Sequence, residues 1–79
     1  MSTSSTFAAL PVPGEEIAPY KIEAGCRVAI TYKNGYRVAG KARARTQAYR
    51  FGWYLTVDRF SGGSVRCESS DIATLQYLG

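Results

Sequence analysis

The chain has 79 residues, 46% of them hydrophobic and 13% aromatic, and a formal net charge of +4. This suits one small globular domain and excludes a disordered chain. With two cysteines and no histidine it also excludes a disulfide framework and a zinc site of the usual four N/S ligands.

Residues 1–19 are rich in Ser and Thr, then in Pro, and have no periodicity. They read as a flexible N-terminal arm; the alternative is a segment that packs or orders on binding. The start, MSTSSTFAALPVPG, lacks the basic n-region of a signal peptide. No stretch approaches the roughly 20 apolar residues of a membrane span. No membrane partner is therefore expected, and the expected setting is a reducing, cytoplasmic one.

Residues 20–79 form the expected domain. In CRVAITYK a period of two begins: Cys26, Val28, Ile30 and Tyr32 point one way, Arg27, Ala29, Thr31 and Lys33 the other. Asn34-Gly35 then marks a hairpin. The next strand, YRVAGKARAR, places Tyr36, Val38, Gly40, Ala42 and Ala44 inward and Arg37, Ala39, Lys41, Arg43 and Arg45 outward. A two-residue loop would set Ile30 among the cations. A three-residue loop, Lys33-Asn34-Gly35, pairs Ile30 with Val38 and Tyr32 with Tyr36, so both apolar rows coincide. It also puts Gly35 where a G1 bulge needs a left-handed residue. That register is the expected one.

A third strand is expected over Tyr49–Val57, with Tyr49, Phe51, Trp53, Leu55 and Val57 inward and Arg50 and Tyr54 outward. Asp58 should open the turn DRFSGG. SVRCE is a fourth strand with Val65 and Cys67 inward. SSDIA reads as one tight turn capped by Asp71, and TLQYL as the fifth strand. The fold class is therefore all-β: a small five-stranded bent barrel of SH3-like or Sm-like order. Its expected core is Val28, Ile30, Tyr32, Val38, Phe51, Trp53, Leu55, Val65, Ile72 and Leu75, with Gly40 and Gly52 at sharp bends.

GCRVAITYKNGYRVAGKA, WYLTV and SSDIATLQY resemble the Rof family, the Rho-binding antitermination proteins, over roughly residues 20–78. Those proteins share a Cys, a strand, an Asx-Gly turn, a strand ending near K-A, a Y-L-x-V strand and a closing acidic-x-Ile turn. The resemblance implies a protein that docks on the transcription terminator Rho and blocks its RNA contact. A second likeness, to the type II dihydrofolate reductases, rests on Gly25-Cys26-Arg27-Val28 and Gly63-Ser64-Val65. Where that family has its V-Q-I-Y pore motif, this chain has Val65-Arg66-Cys67-Glu68. Neither catalytic residues nor a cofactor are expected.

The chemistry lies in the charge pattern. No acid falls between Glu23 and Asp58, a stretch that holds Arg27, Lys33, Arg37, Lys41, Arg43, Arg45 and Arg50. Alternation projects Arg37, Lys41 and Arg43 from one strand, with Arg27 beside them. Phosphates are attracted to such a face, and counterion release makes the binding salt-sensitive. Tyr49 and Tyr54 are placed to stack on unpaired bases. The candidate nucleic-acid site is Arg27, Arg37, Lys41, Arg43, Arg45, Tyr49, Arg50 and Tyr54. Its expected partner is RNA, single-stranded DNA or a nucleic-acid-binding protein. The competing readings are a protein interface, including a homo-oligomer paired through a barrel edge, and a solvated outer face whose long side chains deter edge pairing. Without a histidine to activate them, Cys26 and Cys67 read as core thiols.

Overall fold

A computed structural model describes residues 13–79. It is all-β: one antiparallel sheet of six strands, curled into a half-barrel. The strands are β1 (Arg27–Tyr32), β2 (Arg37–Ala42), β3 (Gln47–Tyr49), β4 (Gly52–Arg59), β5 (Ser64–Glu68) and β6 (Ile72–Tyr77). They lie in the order β3-β4-β2-β1-β6, and β5 pairs with β4. One edge of β4 is shared: Gly52–Tyr54 pair with β3 and Val57–Arg59 with β2. Single 3₁₀ turns at Pro19–Lys21 and Ser69–Asp71 precede β1 and β6.

The first hairpin has the register that burial demands. Ile30 faces Val38, and Thr31 faces Arg37. Tyr32 N–H donates to the Tyr36 carbonyl at 2.8 Å, and Gly35 N–H returns to the Tyr32 carbonyl at 2.9 Å. Gly35 has φ +92°, the left-handed conformation that a side chain would penalise. Val28, Ile30, Val38, Ala42, Leu55, Val57, Cys67 and Leu75 fill the concave side, and Tyr32, Trp53, Val65 and Ile72 pack around them. Each fully buried branched side chain contributes about 1.5–3 kcal/mol. β2 and β4 approach most tightly at Gly40 among the glycines of the sheet. A Cβ there would run into the Asp58 carbonyl oxygen and lie 2.8 Å from the Arg59 Cα. Only glycine lets β4 cross β2 so closely.

The structure departs from the sequence reading at several points. The expected third strand is two strands, because the chain turns at Arg50–Phe51; the sheet has six strands, not five. That turn takes Phe51 out of the core and leaves it 71% exposed. It also shifts the phase, so that Tyr49 lies on the outer face. Tyr36 is likewise exposed rather than inward. Asp58 lies within β4 instead of opening a turn. No side chain caps the Ser69–Asp71 turn, whose preceding residue is Glu68.

Residues 1–12 of the expected arm lie outside the described residues. Its remainder, from Pro13 to Pro19, runs along the outer edge of β6. Gly14 N–H donates to the Tyr77 carbonyl, Tyr77 N–H to Glu15, and Ile17 N–H to Leu75. Ile17 and Ile22 enter the core at 5% and 1% exposure. The apolar spacing of these two residues has no period, so no strand or helix signal marked them.

Candidate nucleic-acid interface

The convex face of the sheet carries two different surfaces. The first lies on β1, β2 and β6. The register sets Arg27 beside Lys41 and Thr31 beside Arg37, with Ala29 and Ala39 between them. Two alanines leave room for long side chains to lie across the strands, and Ala29 is itself only 2% exposed. From β6, Gln76 comes opposite Ala29. Its side-chain oxygen accepts a hydrogen bond from Arg37 Nη2 at 3.1 Å, which orients the guanidinium without neutralising it. Arg27, Arg37 and Lys41 are exposed, and among the described residues none of them has an acidic partner.

At the β2–β4 crossing, Lys41 faces Asp58 in register, but the Asp58 carboxylate is taken by Arg43. Arg43 Nη2 lies 2.8 Å from Asp58 Oδ1, and the two side chains are 60% and 47% exposed. Arg43 has left β2 and its N–H donates to the Thr56 carbonyl on β4. Arg45 lies in the bend before β3, away from the row expected to hold it. Arg50 lies in the β3–β4 turn, its guanidinium 5.7 Å from the Phe51 ring centre.

The second surface lies on β3, β4 and β5. Tyr54 pairs with Gln47 on one side and with Glu68 on the other. Tyr49 meets Tyr54 edge-on at 5.7 Å and Phe51 edge-on at 5.8 Å. The Arg66 guanidinium sits 3.8 Å above the Tyr54 ring and 5.5 Å from that of Tyr49. Glu68 closes the group: it accepts from Tyr49 Oη at 3.0 Å and pairs with Arg66 Nε at 3.5 Å. Desolvation, then the Glu68 hydrogen bond, push the Tyr49 phenol above its ordinary value, so it stays a neutral donor.

The structure thus brings Arg27, Arg37 and Lys41 together, gathers Tyr49 and Tyr54, neutralises Arg43, and leaves Arg45 and Arg50 in connecting segments. Phe51, Arg66 and Glu68 were missed as site residues. The last two had a readable signal, since alternation in SVRCE turns Ser64, Arg66 and Glu68 outward while Val65 and Cys67 point in.

The concave side offers no comparable chemistry. Tyr32 Oη donates to Cys67 Sγ at 3.2 Å. Burial is the main cause that raises the Tyr32 phenol far above its ordinary value, and burial also pushes up the Cys67 thiol. That is the direction opposite to an activated nucleophile. Cys26 and Cys67 are both free thiols. Among the described residues, no three of His, Cys, Asp and Glu gather closely enough to hold a metal ion, and no helix is long and apolar enough to cross a membrane. No protein-family model, curated protein or solved structure matches the chain.

Proposed function

We propose that this is a non-enzymatic, SH3-like or Sm-like module of the cytoplasm that binds single-stranded nucleic acid, RNA foremost, across its convex face. One observation carries this reading. Arg27, Arg37 and Lys41 share one face without an acidic partner, on the same sheet face as the Tyr49–Tyr54 cluster. Asp58 lies opposite Lys41 and Glu16 pairs with Gln76 beside the group, but neither forms an ion pair with the three cations, which leaves them open to an external anion. A phosphate backbone on the cations leaves unpaired bases free to stack on the aromatics. The Rof-like motifs would direct the chain to a transcription terminator instead. Members of that family are acidic, as suits a competitor of RNA, whereas this net charge of +4 suits the RNA itself.

The test is fluorescence anisotropy with labelled single-stranded RNA, single-stranded DNA and duplex DNA at two salt concentrations. Micromolar binding of single strands that weakens steeply with salt is expected. Absence of binding even at low salt sinks the proposal.

A second reading rests on β5. One edge of this strand pairs with β4; among the described residues the other pairs with nothing. A free edge is a template for another chain. Light scattering across a concentration series tests it: a dimer that dissociates on substituting a β5 residue with proline favours edge pairing, and a monomer at every concentration rejects it.

A further inference from the structure

An open pocket of about 430 Å³ lies where the β1–β2 turn meets the 3₁₀ turn before β6; it is lined by Tyr32, Lys33, Asn34 and Asp71. We infer that it receives a guanine base, and this rests on the reading of the protein as a nucleic-acid binder. Its volume lies in the range of small-ligand sites. The two turns are tied by a hydrogen bond from Lys33 N–H to the Asp71 carbonyl at 2.9 Å, so the walls are held by backbone and the side chains are left over. Among the described residues, neither the Lys33 ammonium nor the Asp71 carboxylate forms an ion pair or a side-chain hydrogen bond, although they line the same pocket. Opposite charges facing one space without closing on each other leave both available to a ligand.

The polar groups select the base. Asn34 Oδ1 accepts the Tyr36 N–H at 2.9 Å, which fixes the amide and leaves its NH₂ free to donate. Besides the Lys33 ammonium, the pocket therefore offers a donor from the Asn34 amide and a two-oxygen acceptor from Asp71. Guanine presents the complement on one edge: O6 accepts, and N1–H and N2–H₂ donate side by side. No other common base has two adjacent donors for one carboxylate. Adenine would set N1 against a carboxylate oxygen, and uracil would set O2 there. Each is a contact between two acceptors, which guanine avoids. Tyr32, already stacked on Tyr36 at 5.9 Å and 18°, supplies an aromatic wall. Lys33 is placed for the phosphate.

The probes are GMP, IMP and AMP, titrated into the isotope-labelled full chain by NMR, with wild type and Asp71→Asn compared. GMP should shift the amides of Lys33, Asn34 and Asp71 and bind at least about tenfold tighter than AMP, as a bidentate bond to a charged acceptor implies. IMP, which lacks the N2 amino group, should fall between them. Asp71→Asn should abolish the GMP preference while the rest of the spectrum stays folded, because the backbone carbonyl, not the carboxylate, holds the turn. Equal binding of GMP and AMP, shifts confined to the convex face, or no shift at all overturns the inference. Anisotropy with an oligouridine 12-mer, with and without one central guanine, separates the two readings. If both strands bind equally and GMP is silent, the pocket fails and the nucleic-acid reading stands. If GMP shifts the pocket and neither strand binds, the reverse holds.

Discussion

The two halves of the convex face solve the problem of exposed charge in opposite ways. On β3, β4 and β5 every outward charge has a partner: Arg66 lies over Tyr54 and beside Glu68, and Glu68 holds the Tyr49 hydroxyl. On β1 and β2, Arg27, Arg37 and Lys41 have none among the described residues, and alanines separate them. Matched groups contribute to the fold; unmatched ones raise its self-repulsion, and under the proposed function they are the groups that meet the phosphates. Stability and binding should therefore respond to different residues on one continuous surface.

The largest effect comes from the crossing that joins the halves. Gly40→Ala drives a Cβ into the Asp58 carbonyl and the Arg59 Cα, both backbone groups that cannot give way without unpairing β2 from β4. We expect a loss of about 3 kcal/mol or more, the upper end for overpacking, read as a fall in the urea midpoint. RNA binding should fail with the fold. A folded Gly40→Ala protein of normal stability would mean that the tight crossing is not what curls the sheet.

Next is reversal of the unmatched half. Arg37→Glu with Lys41→Glu should lower RNA affinity by about 100-fold or more and flatten the salt dependence by more than one unit of slope. Stability should fall by about 1 kcal/mol, because Arg37→Glu gives up the exposed Gln76 hydrogen bond and Lys41→Glu sets a carboxylate opposite Asp58. Retained affinity in the double variant would remove the cations from the binding face.

The matched half should behave differently. Tyr54→Ala removes the ring beneath Arg66 and beside Tyr49, so it should cost about 1 kcal/mol of stability and about 1–3 kcal/mol of RNA affinity. Were only affinity to fall, Tyr54 would be a docking ring with no part in the fold. Alkali acts more gently on the same cluster. The Tyr49 phenol is raised in the folded state, so the stability it contributes is complete below its unfolded pKa of about 10 and is lost as pH rises past it. Tyr49→Phe should flatten that alkaline fall in a urea-midpoint series; an unchanged pH profile would dissociate Tyr49 from Glu68.

The same contrast decides what could be read from the chain. Alternation in CRVAITYK and YRVAGKA, with Gly35 at the turn, determines the register of the first hairpin, because a slip by one residue would bury cations. The free half of the face was legible for that reason. The aromatic half was only partly so. YRFGWYLTV alternates without a break, and nothing local shows that Arg50–Phe51 is a turn rather than strand. Pairing of Gln47–Tyr49 with Gly52–Tyr54 is a tertiary choice that moves Tyr49 outward and leaves Phe51 exposed. Pairing of Arg43 with Asp58 depends on β2 crossing β4, a contact between residues 15 apart that composition does not reveal. The packing of Ile17 against β6 rests on backbone hydrogen bonds, which leave no mark in residue type.

The smallest effect is the most discriminating, because it converts a matched charge into a free one. Asp58→Asn leaves Arg43 in place but removes its ion pair. Both side chains are about half exposed, so the pair is worth no more than about 0–1 kcal/mol, and stability should fall by that much at most. Arg43 then joins Arg27, Arg37 and Lys41 as a cation without a partner. RNA affinity should rise a few-fold and the salt dependence should steepen by about 0.7, the increment for one more phosphate neutralised on a single strand. Arg43→Ala with Asp58→Ala is the counterpart: it removes a cation together with the acid that cancels it, so the net charge of the face is kept and affinity should hardly change. If this double variant weakens binding as much as Lys41→Ala, the ion pair opens in the complex, and matched and free charge on this face are distinguished by the ligand rather than by the fold.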